Sequence, residues 1–541
     1  MKFILLTLFT GLLFLGQAQQ IDSKTKKKLD KLINEQLAEK IAPGLAIGII
    51  QNGAIIYESY AGYADLKKKT SLSKESRFNY ASSGKQFTAL AVLTLIEEGK
   101  INLEDDIRKF LPDFYPDINE EIQIQHLITH TSGIRDVYEL WNLQGITWWE
   151  ETLSNQDAID MLMKQQQLSF EPGSKHIYSN SNYLLLTEII KQVTSKSFKD
   201  YSDDLFNNLG MTSTGFEPDH TDIPRRVLPY GFWKKYRMYE WNTDLIGDGA
   251  LFTTLPDQLA WEVMIQQQES DFLTAKTMEK SQSPIVGTFE GYGYGLEFED
   301  GRSFHHGSTG AYGATFARYT EENLTIVVMT NYTNILASYV TEQCYQILTG
   351  AIAPSPKPRK PQTVEAFVSI DSLLGTYKTP GGYYYRFVMR SDTLFLERAD
   401  RNPVAIEHEE GNIYHEINDP AFQQAFTIDP KLGMQITAYY PTHDSYTLTK
   451  EDITWEGYDY EKLNGTYYNS ELDVRLEVKY VKDKEYLVTK GQNEYSIQIF
   501  EPDVFWFGNY RAKVGQEDTR VSELLLNSNR NRNVLFTRTT E

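Results

Sequence analysis

The stretch that decides the fold runs from Tyr80 to Leu90 and reads YASSGKQFTAL. It opens an almost wholly apolar run that continues to Ile96 and is followed by two glutamates and Gly99. An apolar run without a polar face predicts a helix that is buried on all sides, with glycine as the residue past its C-terminus. The sequence therefore predicts a central buried helix with Ser82 in its first turn.

Ser82 and Lys85 stand three positions apart at the head of this predicted helix. Residues at that spacing share a helix face, so the lysine amine can approach the serine hydroxyl. A lysine removed from water has its pKa lowered, and a neutral amine can then take the serine proton. Two interpretations stay open for Ser82, a catalytic nucleophile and an N-capping serine. Two other copies of Ser-x-x-Lys, at Ser23 and Ser71, lie in polar surroundings and are interpreted as solvated side chains.

Length and composition indicate a globular protein of more than one domain. The chain has 541 residues, 41% of them hydrophobic and 13% aromatic, which predicts two or three domains. A net charge of −21 argues against nucleic acids and anionic membranes as partners, because their phosphates repel it. The single cysteine, Cys344, lies in a helical pattern and is interpreted as a core residue, which leaves no internal disulfide.

Residues 1–18 are typical of a secretory signal. Lys2 is followed by an apolar stretch from Phe3 to Leu15 and by a small-x-small cleavage site at Gly16–Ala18. A membrane anchor is the alternative, but the stretch is short for a membrane span. We therefore expect a secreted or periplasmic protein without stable membrane insertion after signal removal.

A second informative stretch, residues 172–183, reads PGSKHIYSNSNY and precedes an apolar helical pattern. Its Tyr178-x-Asn180 motif falls on a loop before a helix, where polar groups can face a cleft. The same spacing recurs at Tyr332 and Tyr467, after strand-like segments, where turns are the better interpretation.

A third stretch, residues 304–313, reads FHHGSTGAYG. Small residues flanked by apolar ones predict an edge strand whose backbone closely approaches another part of the chain. The His-x-Gly motif at His305 and Gly307 occurs only once in the sequence.

The histidines do not form a convincing metal site. Adjacent strand residues such as His305 and His306 point to opposite faces, so one site cannot easily use both. His126 and His130 are four apart, but Leu127 stands where a zinc protease has its glutamate, and both are interpreted as structural.

The C-terminal part has a different composition. A proline-rich linker is predicted at residues 351–366. The segment Leu374–Tyr377 then returns 90 positions later as Asn464–Tyr467, each copy leading into alternating strand patterns. We expect a hydrolase domain at 19–350, then β-rich modules at 367–455 and 456–541.

The order Ser-x-x-Lys, Tyr-x-Asn and His-x-Gly, together with the phrases HLITHTSG at 126–133 and GDGALFTT at 247–254, resembles serine hydrolases related to class C β-lactamases. The resemblance covers about residues 35–350. It implies an α+β fold: an antiparallel sheet flanked by helices with a helical subdomain (β-lactamase/transpeptidase-like), here followed by two all-β, barrel-like modules.

The resemblance assigns the catalytic roles. Ser82 is expected to be the acylated nucleophile and Lys85 to hold or relay its proton. Tyr178 matches the family's tyrosine base, which later protonates the leaving group. No cofactor and no metal are expected for this acyl-enzyme chemistry.

The resemblance also assigns residues that bind substrate. Asn180 is expected to orient the substrate amide, and His305 and Gly307 match the third motif. The backbone N–H groups of Ser82 and Ser308 are expected to form the oxyanion hole, often the largest single contribution to acyl transfer.

One residue departs from the family pattern. Related β-lactamases usually have lysine where His305 stands, and a largely neutral histidine is a weaker anchor for an antibiotic's carboxylate. Relatives with His-x-Gly include esterases, peptidases and D-aminopeptidases, and the last group also carries two β-barrel modules.

We therefore expect a secreted serine hydrolase that acts on an ester or amide in a small-molecule, peptide or cell-wall-derived substrate. A penicillin-binding DD-peptidase or β-lactamase is the enzymatic alternative. A non-catalytic cell-wall or glycan-binding protein is the alternative from another class.

Overall fold

A computed structural model gives the fold of most of the chain. The predicted signal sequence (1–18) and the predicted linker (351–366) lie outside the residues that it describes. Those residues are 21–37, 41–233, 235–240, 242–350, 369–380, 383–398, 401–417, 419–439, 445–451, 460–481, 485–491, 493–501, 503–517 and 520–539.

The chain divides into two compact units, each built from two stretches of sequence. The first comprises Met1–Ile101 with Ile190–Ala351, and the second comprises Asn102–Ile189 with Ile352–Glu541.

A six-stranded antiparallel sheet forms the centre of the first unit. Asn52 and Gly53 form a tight turn between two of its strands, with φ angles of 53° and 73° that an Asn-Gly pair adopts readily. In sheet order the strands are Glu297–Glu299, Arg302–Thr309, Tyr312–Tyr319, Leu324–Thr330, Leu45–Gln51 and Ala54–Ala61.

Helices cover both faces of this sheet. Ser23–Gln36 and Ala337–Thr349 share one hydrophobic core with alternate residues of the strands. Gly48 points to the opposite face, where an added Cβ would lie 2.4 Å from the Leu259 side chain, so helix Leu255–Gln267 packs there. Cys344 is fully buried in the first core, as predicted, and burial raises the pKa of its thiol to about 12.

The predicted buried helix spans Lys85–Glu97 and carries no exposed residue from Lys85 to Leu95. Gly99 follows its end with a φ of 70°. One detail differs from the prediction: Ser82 lies in a 3₁₀ turn, Ala81–Gly84, that leads into the helix.

Shorter elements complete the first unit. Its further helices are Phe198–Asn208 and Ala275–Ser281, and its short strands are Tyr63–Asp65, Thr70–Ser71, Phe78–Asn79, Gly215–Phe216, Tyr230–Trp233, Lys235–Met238 and Leu251–Thr253.

The second unit begins with helical structure. Asp136 caps the helix Val137–Gln144, and Ser154 forms a capping box at the helix Asn155–Met163. The other elements of this segment are the 3₁₀ turn Ile107–Lys109, the helix Ile124–Ile128 and the start of the helix Asn180–Thr194.

Eight antiparallel strands form a closed barrel around an aromatic core that includes Tyr377, Phe387 and Phe426. The short helix Ile370–Leu373 precedes it. Its strands are Gly375–Lys378, Tyr384–Arg390, Thr393–Arg398, Arg401–Glu410, Ile413–Glu416, Asp419–Asp429, Gly433–Tyr439 and Tyr446–Glu451.

The C-terminal sheet has nine strands and follows the 3₁₀ turn Tyr460–Leu463. In sheet order its strands are Asn493–Ser496, Glu485–Lys490, Val474–Val481, Gly465–Asn469, Val534–Arg538, Arg520–Asn527, Tyr510–Glu517, Val504–Phe507 and Gln498–Glu501. With the barrel, it confirms the two barrel-like modules of the predicted fold.

The repeated Gly-Thr-Tyr segment has the same structure in both copies. The Tyr377 hydroxyl donates to the Leu373 carbonyl, and the Tyr467 hydroxyl donates to the Leu463 carbonyl, each over 2.9 Å. Both tyrosines are fully buried. The repeat therefore fixes the first strand of each module to the short helix before it.

Within the described ranges, none of the helices is both long enough and apolar enough to cross a bilayer.

Candidate active site

Lys85 and Ser82 are in direct contact. The Lys85 side chain is fully buried, and its Nζ lies 3.1 Å from Ser82 Oγ. Nζ also donates a hydrogen bond to the Asp248 carbonyl. The amine is therefore held at the serine hydroxyl instead of reaching solvent.

The backbone before Ser82 adopts an uncommon conformation. Ala81 has a φ of 49°, and its N–H donates to Asn79 Oδ1 over 2.9 Å. A non-glycine residue in the left-handed region costs energy and is typical of functional turns. Ala81 and Ser83 are buried, whereas Ser82 is partly exposed. Of the two adjacent serines, the turn therefore leaves Ser82 accessible.

The strand Arg302–Thr309 meets this turn at Gly307. A Cβ at that position would lie 2.5 Å from the Tyr80 carbonyl oxygen, so only glycine allows this approach. Ser83 Oγ also donates to the His305 carbonyl over 3.3 Å. The predicted close approach of the strand is thus to the turn that carries Ser82. The prediction that this strand lies at the sheet edge is wrong. The edge strand is Glu297–Glu299, which pairs with the first three residues of Arg302–Thr309.

His305 is buried and its imidazole is neutral. Its Nδ1 lies 2.8 Å from the His306 carbonyl and must donate there, so Nε2 accepts from the Tyr292 hydroxyl, 3.0 Å away. Burial, and then the nearby Lys85, lower the pKa of His305 to about 3. The side chain therefore carries no charge at neutral pH.

We call Ser82, Lys85, His305, Gly307 and Ser308 the Ser82 cluster. The contacts above link the turn of Ser82 to Lys85, His305 and Gly307 within the first unit, and Ser308 follows Gly307 on the same strand.

A buried polar network behind this cluster was not predicted from the sequence. Gln86 Oε1 accepts from Trp261 Nε1 over 3.0 Å and from Arg318 Nη2 over 2.8 Å. Arg318 also forms a buried ion pair with Glu262 over 2.7 Å. The network fixes the first turn of the Ser82 helix. The sequence signal that could have revealed this network is the presence of the charged residues Glu262 and Arg318 within otherwise apolar patterns.

Tyr178 and Asn180 belong to the second unit. The Tyr178 ring packs on His130, with ring centroids 4.2 Å apart. His130 Nδ1 accepts from the Ser179 N–H over 3.2 Å, and its carbonyl accepts from the Ile177 N–H over 3.0 Å. His130 thus has a structural role, as predicted: it supports the loop that carries the tyrosine.

Asp136 organises the other side of this loop. Its fully buried carboxylate accepts from the Asn180 N–H over 2.8 Å and from the Tyr138 N–H over 3.1 Å. It therefore joins the starts of two helices. Asp136 was not predicted from the sequence, although an aspartate directly before a helical pattern is a capping signal.

Arg530, from the C-terminal sheet, was also missed. Its guanidinium lies over the Tyr178 ring, 5.1 Å from the centroid, and pairs with Asp136 Oδ2 over 3.3 Å. No motif links Arg530 to Tyr178 along the sequence. We call His130, Asp136, Tyr178, Asn180 and Arg530 the Tyr178 cluster.

Metal binding finds no support in the part of the chain that the structure describes. His126 Nδ1 accepts from the Gln123 N–H over 3.1 Å as part of a helix capping box, which is a structural role. The described residues contain no group of three or more His, Cys, Asp or Glu side chains that could hold a metal ion.

Comparisons with known proteins place this geometry in context. The model of the Beta-lactamase family matches residues 29–342. Penicillin-binding protein 4* of Bacillus subtilis (strain 168) is 26% identical over 408 residues, which cover 70% of this chain and 88% of that protein. Protein flp of Staphylococcus aureus (strain N315) is 32% identical over 215 residues, 39% of this chain and 42% of that protein.

Solved structures share the fold. The octameric penicillin-binding protein homologue from Pyrococcus abyssi matches with a TM-score of 0.56 and 22% identity, covering 79% of this chain and all of that one. The D-amino acid amidase from Ochrobactrum anthropi SV3 matches with a TM-score of 0.50 and 20% identity, covering 61% of this chain and 99% of that one.

Proposed function

This chain belongs to the beta-lactamase family, and we propose that it is a serine hydrolase that forms an acyl-enzyme on Ser82. The contact between Lys85 Nζ and Ser82 Oγ, 3.1 Å long, carries the proposal. A serine hydroxyl is a weak nucleophile until a neighbouring group takes its proton. A fully buried amine at this distance suits that task. A serine that only caps a helix would not need a buried amine beside it.

In the proposed reaction, Ser82 Oγ attacks the carbonyl carbon of the substrate and loses its proton to the base. Tyr178 acts as that base and Lys85 relays the proton. The backbone N–H groups of Ser82 and Ser308 stabilise the tetrahedral oxyanion. Tyr178 then protonates the leaving alcohol or amine as its bond to the carbonyl carbon breaks, and water releases the acyl group by the reverse path.

The substrate is proposed to be an ester or amide of modest size. His305 supports this choice, because a neutral histidine provides no fixed positive charge for the carboxylate of a β-lactam antibiotic. Asn180 is proposed to orient the acyl amide of the substrate. The D-amino acid amidase among the structural neighbours makes D-amino acid amides a class worth testing. Export from the cytoplasm is part of the same proposal and rests on the signal-like residues 1–18.

Fluorophosphonate labelling with intact-mass analysis tests the proposal. We expect one covalent adduct on the wild type and none on Ser82→Ala, with the circular dichroism spectrum unchanged. Ser71→Ala is the matched control, because Ser71 starts another Ser-x-x-Lys sequence on an exposed strand and should label like the wild type.

Substrate assays with the same proteins complete the test. We expect hydrolysis of a small ester or a D-amino acid amide to exceed that of a chromogenic cephalosporin. An adduct that persists in Ser82→Ala would refute the nucleophile assignment, and a wild type that neither labels nor turns over would favour a non-catalytic binding protein.

A further inference from the structure

A loop of the C-terminal sheet is built onto the Tyr178 loop. Residues 528–533 connect the strands Arg520–Asn527 and Val534–Arg538. The Asn531 side chain forms two hydrogen bonds with the backbone of Asp136: Oδ1 accepts from its N–H over 2.6 Å, and Nδ2 donates to its carbonyl over 3.2 Å. Asn531 is 1% exposed. The pairing is therefore a buried, specific contact.

Further contacts fix the two ends of this loop. Ser528 Oγ and the Arg530 N–H both donate to Glu139 Oε2. The Arg532 N–H donates to Ser169 Oγ over 3.1 Å. The loop is thus anchored before, at and after Arg530, and the position of the Arg530 side chain is restricted.

Arg530 faces Tyr178 as a cation over an aromatic ring. The guanidinium carbon lies 5.1 Å from the ring centroid, within the range of a favourable cation–π contact. A cation at this distance stabilises a phenolate more strongly than a neutral phenol, because opposite charges attract. Removal of Arg530 would leave the buried Asp136 carboxylate as a fixed negative charge beside the tyrosine.

We propose, on the premise that Tyr178 is the base of the proposed reaction, that Arg530 is a positioning residue of the active site. The loop 528–533 holds its guanidinium over the Tyr178 ring, where it favours the deprotonated tyrosine. The C-terminal module is then a component of the catalytic machinery and not a decoration of the hydrolase.

Several titratable groups face Tyr178 within this unit. Burial alone lowers the pKa of Arg530, but Asp136 and Tyr178 outweigh it, so the pKa is raised overall and the charge is kept. Burial, and then Asp136, raise the pKa of Glu139. Among the described residues of this unit, His130 packs on the ring and His176 packs on His130. Asp136 pairs with Arg530, and Glu139 accepts from the Arg530 N–H.

The test measures kcat/KM for a small ester as a function of pH in Arg530→Gln and Arg530→Lys. We expect the acid limb of the profile to move up by about one pH unit in Arg530→Gln, which is about a tenfold loss at neutral pH. The rate should return toward the wild-type value at high pH. Arg530→Lys keeps the charge and should restore most of the shift.

Two further variants separate charge from structure. Arg532→Gln is the matched control. Among the described residues, Arg532 Nη1 donates to carbonyls of its own loop, those of Ser528 and Asn531, so its loss should leave the pH limb in place. In a Tyr178→Phe background, Arg530→Gln should produce no further pH shift, because Arg530 acts through the tyrosine.

The possible failures are distinguishable. A wild type that is not labelled at Ser82 refutes the proposed hydrolase itself. Normal Ser82 labelling with Arg530→Gln equal to the wild type, or lowered by the same factor at every pH, refutes only the role of Arg530. An equal shift in Arg532→Gln does so as well. If Arg530→Gln does not fold, the pH profile of Arg530→Lys decides. An acid limb whose midpoint lies more than half a pH unit from that of the wild type, in either direction, contradicts the charge argument. An unchanged midpoint supports it.

Discussion

The Ser82 cluster and the Tyr178 cluster both lie at the start of a buried helix, but different forces hold them. Around Ser82, close backbone packing dominates: Gly307 lies against Tyr80, and Ala81 adopts a left-handed conformation. Around Tyr178, charged side chains dominate, since Asp136 joins two helix starts and pairs with Arg530. One cluster thus depends on shape and the other on charge, and substitutions should affect them differently.

The largest expected effect tests whether the two clusters serve one reaction. Lys85→Ala and Tyr178→Phe should each lower kcat for a small ester by about a hundredfold or more, the size typical of lost general base catalysis. Combined, they should cost far less than the product of the two losses, because residues that act as a unit are not additive. Lys74→Ala, in the exposed Ser-x-x-Lys copy, is the control and should match the wild type. Losses that multiply independently would show that the clusters share no proton path.

The next effect concerns the neutral histidine of the Ser82 cluster. The unfolded chain protonates His305 near its ordinary pKa of 6.5, whereas the folded protein keeps it neutral down to about 3. The unfolded state therefore binds the proton first, and the free energy of unfolding falls as the pH drops through this window. The slope contributed by His305 is about 1.4 kcal/mol per pH unit.

Urea unfolding between pH 7 and pH 4.5 measures this slope. His305→Gln should remove that contribution, since glutamine does not titrate, while substitution of the exposed His408 by glutamine should leave the slope unchanged. Equal slopes in the wild type and His305→Gln would contradict the neutral, buried state of His305.

The smallest expected effect is in the Tyr178 cluster. Asp136→Asn keeps the shape of the side chain but removes the charge that accepts from Asn180 and Arg530. We expect the free energy of unfolding to fall by about 2 kcal/mol, as is typical for hydrogen bonds to charged groups. The loss should change little with salt, because the carboxylate is fully buried and salt screens buried charges only weakly.

Asp160→Asn controls for this substitution, because Asp160 is exposed and, within the part of the chain that the structure describes, accepts from its helix neighbour Gln156. A negligible effect of Asp136→Asn would mean that packing, and not charge, holds both clusters.

The same contrast explains how much could be predicted from the sequence. Ser82 and Lys85 are three residues apart where a 3₁₀ turn leads into a helix, so their contact follows from local helical geometry. The close approach of Gly307 was also predicted, since small residues in a strand indicate it. The partner of that approach, Tyr80, could not be predicted because it depends on how the strand packs against a turn more than 200 residues away in sequence.

The Tyr178 cluster was only half predicted for the same physical reason. The loop position of Tyr178 and Asn180 follows from the Pro-Gly turn and the helix after it. Arg530 sits in a loop of polar residues whose pattern is that of any surface turn. Its contact with Tyr178 is set by the docking of Asn531 on Asp136, and a tertiary contact of this kind leaves no periodic signal in the sequence.

The two C-terminal modules share a geometric property that bears on how such a chain could arise. In each module the first strand pairs with the last: Tyr377 lies opposite Lys450 in the barrel, and Tyr467 lies opposite Arg538 in the C-terminal sheet. A segment whose two ends meet can be copied in tandem or inserted into a host gene without rethreading its strands. A duplication of this kind would preserve the tyrosine, Tyr377 or Tyr467, that holds the first strand of each module to the helical turn before it.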